Sequence, residues 1–108
     1  MDIETIKRRK EIEAVLIELN FNLASKGFEY WVQAIMLYKY DFKSVRQMME
    51  RVYEKIANNN NDTISRVERA MRTAKKTAEI YISDKYKYNV RLTNKRIIKL
   101  LGESIRYE

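Results

Sequence analysis

Ser65, Arg66, Glu68, Arg69, Arg72 and Lys76 share one side of a helix wound through residues 62–76, and together they can bind anions and hydrogen-bond to bases. At about 100° per residue, Val67, Ala70, Met71, Ala74 and Ala78 fall on the opposite side. That apolar side is small and shallow, as suits a helix that rests on its own domain and offers its other face to a groove. The pattern predicts a DNA recognition helix over 64–78, placed in the major groove. Other chemistries are poorly provided for. The chain has no His and no Cys, so the usual neutral-pH acid–base group, the thiol nucleophile and thiolate metal sites are missing. Its Asp and Glu residues form no metal-ligand constellation. An enzyme is not expected, nor a metal or cofactor.

The elements needed to position this helix are legible upstream. Residues 44–57 carry Val45, Met48, Met49, Val52 and Ile56 at amphipathic-helix spacing. Asn58, Asn59, Asn60, Asn61 and Asp62 then interrupt the pattern with residues that favour turns. Thr63 or Ser65 can N-cap the next helix, and Ser65-x-x-Glu68 has capping-box spacing. Residues 44–78 are therefore expected to form a helix-turn-helix.

The remainder fits a compact all-α domain of five to six helices spanning 1–108. Apolar residues make up 45% of the chain, enough for a modest core, while the absence of Pro and the presence of only two glycines disfavour Gly-rich loops and hairpins. Helices are expected over 6–19, through Ile12, Val15, Leu16 and Leu19, and over 28–38, through Phe28, Trp31, Val32, Ile35 and Tyr38. Tyr40, Asp41 and Phe42 lead into the next helix. Residues 83–91 read as a loop or a single turn. Asn94 can cap a last helix with Ile97, Ile98, Leu101 and Ile105 on one stripe. The net charge of +7 suits a polyanion, and no apolar run approaches the length of a membrane span, so a cytoplasmic location is expected.

The run TISRVERAMRTA, preceded by VYEKIA and followed by LTNKRIIKLL, resembles the C-terminal DNA-binding effector domain of the sporulation initiation response regulator of spore-forming Firmicutes. IELNF and KGFEYWVQAI lie upstream at family spacing, and the likeness covers roughly 12–108. The resemblance implies a six-helix transcription regulator that binds a box like TGTCGAA, often with a second protomer on a tandem site. It also implies that Arg66, Glu68 and Arg69 read bases, with Ser65 and Arg72 on phosphates. Chemistry agrees: Arg can bond guanine O6 and N7 in a fork, and Glu can accept from cytosine N4. Thr73 and Lys76 join the phosphate group. The family often carries His where Thr73 stands, and Lys75 and Lys76 can replace that charge. Asn94, Lys95 and Arg96 are expected on phosphates too, because helix N-terminal amides favour anions.

Several departures bear on regulation. No receiver domain precedes the effector in this sequence, so gating by phosphorylation in the family manner is not expected. Residues 79–90 differ from the family stretch that touches RNA polymerase sigma factor, which counts against a sigma contact. Alternative roles stay open for some residues. Glu68 can serve as a capping residue, and the KRRK run at 7–10, within a basic extension over 1–11, as a DNA arm or a solvated face. Phe28, Tyr30, Trp31, Tyr38 and Tyr40 suit a core and its rim better than stacked bases. Tyr81, Tyr86 and Tyr88, beside Lys85 and Lys87, can lie over the duplex or against a neighbouring protomer. The competing function is a protein-interaction module or inhibitor, which binds or competes with a full-length homologue or another regulator.

Overall fold

Asp2 starts the first helix by accepting the Thr5 amide at 2.7 Å, so that the helix begins at Ile3, three residues before the expected start at residue 6. The computed structural model describes residues 2–40, 50–87 and 91–105; Asp41, Phe42, residues 44–49 of the expected third helix, and Tyr88 lie outside them. Among the described residues there are six α-helices and no strand: α1 Ile3–Glu18, α2 Lys26–Tyr40, α3 Glu50–Asn60, α4 Ile64–Lys75, α5 Glu79–Tyr86 and α6 Asn94–Ser104. The chain is an all-α domain.

α2 is the hub. It packs against α1, α3, α4 and α6, and it buries Phe28, Tyr30, Trp31, Val32, Ala34, Ile35 and Tyr38. Its aromatic residues are thus core, with Tyr40 at the rim, and Trp31 meets Phe21 edge-on at 5.2 Å. Around it close Ile12 and Leu16 of α1 with Leu19 at its C-cap, Val52 and Ile56 of α3, and Ile97, Ile98 and Leu101 of α6.

Two expected boundaries move. The break after α3 falls at Asn61 rather than Asn58, because within the run 58–62 only Asn61 adopts the left-handed conformation, at φ 53°. Asn60 stays helical, its amide donating to Ile56 O and to Gln33 Oε1. The second correction is α5, an eight-residue helix that begins at Glu79 and runs into the segment 83–91, where a loop or single turn was expected. Ala78, Ile82 and Tyr86, at i, i+4 and i+8, turn inward together, and the stripe is cut in half when the segment is read from Ser83. Lys87, at φ 55°, ends it.

The basic run at 7–10 lies within α1. Arg9 donates to Glu29 of α2 at 2.7 Å, and Arg8 stands over the Tyr40 ring at 4.1 Å while pairing with Glu4. These two cations hold α1 on α2 and are not part of a free arm.

Candidate nucleic-acid interface

The turn between α3 and α4 is tied down by one carboxylate. Asp62 accepts the Tyr30 hydroxyl at 2.6 Å and the Thr63 amide at 2.8 Å, and pairs with Lys26 at 3.3 Å. The Tyr30 hydroxyl, and next the Thr63 amide, hold its carboxyl below the usual carboxylate range. Burial, reinforced by Asp62, pushes the Tyr30 phenol up, so the phenol remains the donor. The entry to α4 is thereby fixed to the start of α2.

Thr63 is the N-cap of α4, its hydroxyl accepting the Arg66 amide at 3.2 Å. Ser65 is not the cap, and the Ser65–Glu68 capping box does not form. Glu68 instead pairs with Arg72 at 3.5 Å on the open face. Replacing Thr63 with Ala should cost about 1 kcal/mol of stability. A urea titration showing an unchanged midpoint for Thr63→Ala would contradict the capping geometry.

The two faces of α4 separate as the periodicity requires. Val67, Met71 and Ala74 are fully buried, as is Ala78 just beyond the helix, with Ala70 half-buried. Ser65, Arg66, Arg69, Arg72, Thr73 and Lys76 are exposed, and Glu68 is half-exposed. The helix itself ends at Lys75, three residues short of the expected 64–78. Lys75 is also buried rather than outward. Its ammonium donates to the Leu92 carbonyl and pairs with Glu79 at 3.1 Å, so it cannot supply the missing surface charge.

The backbone of α4 is held at several points by neighbouring elements. Trp31 Nε1 donates to Met71 O at 2.8 Å, Asn94 Nδ2 to Glu68 O at 3.3 Å, and the Asn22 amide to Ala74 O at 3.3 Å. Gly27 faces Ala70 so closely that a Cβ there would lie 2.1 Å from the Ala70 carbonyl oxygen. None of these anchors shows in the sequence pattern, because each joins residues far apart in the chain.

Asn94 is the clearest correction among the expected phosphate contacts. Thr93 caps α6, accepting the Arg96 amide at 3.3 Å, while Asn94 is buried and turned back onto α4. Its amide steadies the backbone of Glu68 and is not available to a phosphate. Lys95 and Arg96 remain exposed at that end, and Arg96 also donates to the Arg91 carbonyl at 2.8 Å. Through Asn94 the start of α6 is held against the middle of α4.

Between α3 and α4 runs an open groove of about 640 Å³, lined by Tyr53, Thr63, Ile64, Ser65, Glu68, Arg69 and Arg72. A second depression, of about 430 Å³, brings Arg72, Lys76 and Arg91 together beyond the end of α4. The surface is therefore a ridge of hydrogen-bonding side chains, mostly donors with Glu68 as an acceptor, flanked by cations. No cluster of metal-ligating side chains occurs among the described residues, and no helix there is long and apolar enough to cross a membrane.

The family model described as the sporulation initiation factor Spo0A C terminal matches residues 12–105. Among curated proteins, none matches the chain.

Proposed function

The chain belongs to the Spo0A C-terminal family of DNA-binding effector domains, and from that premise we propose that it regulates transcription by reading one duplex sequence with α4 in the major groove. The observation that carries this is the exposed side of α4, where polar side chains stand on a helix whose opposite side is fully buried. Arg66, Glu68 and Arg69 read base edges. Ser65, Arg72, Thr73 and Lys76 meet phosphates along the ridge, and Lys95 and Arg96 meet them at the start of α6. Asn94 acts from behind, on the backbone of Glu68. The reading includes cytoplasmic action and occupancy of a tandem site by a second protomer.

Anisotropy of a labelled duplex carrying TGTCGAA, against a scrambled duplex at about 150 mM salt, tests this directly. A preference of tenfold or more for the box is expected. Arg69→Ala should reduce it by about 5- to 150-fold, the range for one bidentate pair with guanine, with no loss of fold because the side chain is exposed. With about five phosphates neutralised, log affinity against log salt should slope near −4.5. Equal, salt-sensitive binding to both duplexes would reject the box reading and favour the protein-interaction role.

A further inference from the structure

Ile64 stands out on the reading face. It is the first residue of α4, it is 52% exposed, and it lines the groove beside Ser65, Glu68 and Arg69. Other strongly exposed aliphatic side chains, Ile3, Ile17, Leu23 and Ile80, lie on α1, the loop after it and α5, away from this groove. The exposure is not explained by capping, since Thr63 performs that task through its hydroxyl. Ile64 also shares a stripe with Glu68 and Arg72, at i, i+4 and i+8.

An apolar side chain at the leading turn of a recognition helix meets the part of the duplex that such helices probe most deeply. The one apolar group on the major-groove edge of the bases is the 5-methyl of thymine. We propose that Ile64 reads a thymine through that methyl, at a step adjoining the base that meets Glu68. Four residues, about 6 Å of helical rise, separate the two side chains along α4, a span compatible with neighbouring base pairs. The proposal rests on the DNA-binding reading above. It adds a shape-selective contact to a face otherwise composed of hydrogen-bonding groups.

Deoxyuridine differs from thymidine by that methyl alone and keeps Watson–Crick pairing. The thymines of a TGTCGAA duplex, on both strands, are replaced one at a time, and anisotropy is measured for wild type, Ile64→Ala and Ile64→Val beside the scrambled duplex. At one position the substitution should weaken wild-type binding about fourfold, the factor for one desolvated methyl group. Ile64→Ala should bind the unmodified box about fourfold more weakly than wild type does and should be insensitive to uracil at that position. Ile64→Val should keep part of the dependence. Melting of the Ala variant within a few degrees of wild type verifies that the fold persists, and the Val variant carries the test if it does not. A preserved preference for the box with no uracil effect, or a uracil effect that survives in Ile64→Ala, overturns the Ile64 assignment alone. Equal binding to box and scramble overturns both it and the DNA reading.

Discussion

Met71→Lys is expected to abolish the cooperative thermal transition, leaving a chain without stable tertiary structure at 25 °C. Met71 is completely buried on the inner side of α4, and its backbone carbonyl already accepts the Trp31 indole. A lysine there would bury an ammonium with no anion prepared for it, one turn from the already buried Lys75. An uncompensated buried charge costs several kcal/mol, against a total stability of about 5–15 kcal/mol for a domain. Met71→Leu, which keeps volume and polarity, should lose less than about 1.5 kcal/mol. The pair separates burial of charge from mere alteration of the site. A native-like circular dichroism melt for Met71→Lys would reverse the assignment of the two faces of α4.

Gly27→Ala, a change of one methyl group, is expected to lower the melting temperature by about 4–24 °C and to weaken the proposed sequence-specific binding as well. The glycine has no positive φ, so its backbone conformation does not require it. Proximity does. The added carbon would sit 2.1 Å from Ala70 O, 2.7 Å from Ala70 C and 2.9 Å from Ala74 Cβ. The first two are main-chain atoms of α4, which cannot rotate aside, so α2 and α4 must part. Overpacking of this kind costs about 1–3 kcal/mol, and each kcal/mol is worth about 4–8 °C in a domain of this size. Parting the helices would also stretch the Trp31–Met71 hydrogen bond. Because Trp31 is the single tryptophan, its emission should shift to the red in the variant. Unchanged emission and an unchanged melt would mean that the helices do not approach this closely.

What the sequence made legible follows from how local each determinant is. The faces of α4 could be read because Val67, Met71 and Ala74 recur with the helix's own period, and the same holds for Ile97, Ile98 and Leu101 of α6. Lys75 could not be read, since its acceptor, the Leu92 carbonyl, comes from a segment that periodicity does not connect to α4. Thr93 and Asn94 are both cap formers, and the choice between them was made by a distant acceptor, Glu68 O, that draws the Asn amide inward. Gly27 reads locally as a weak start to α2 and gains its meaning only from Ala70 on another helix. The cations at 7–10 look alike in sequence, yet Glu29 and Tyr40 claim Arg9 and Arg8 and leave Lys7 and Lys10 exposed.

Apart from the buried Lys75, the bonds that tie α4 to α2, α6 and the loop after α1 end on the carbonyls of Glu68, Met71 and Ala74, atoms that every amino acid carries. The outward side chains contribute nothing to that attachment. Substitution among them therefore changes what the surface presents without loosening the mount. Under the reading proposed above, descendants of this domain are free to drift toward new operators one side chain at a time, and a designer seeking altered targets can randomise Ser65, Arg66, Glu68, Arg69 and Arg72 while leaving Trp31, Asn22, Asn94 and Gly27 untouched.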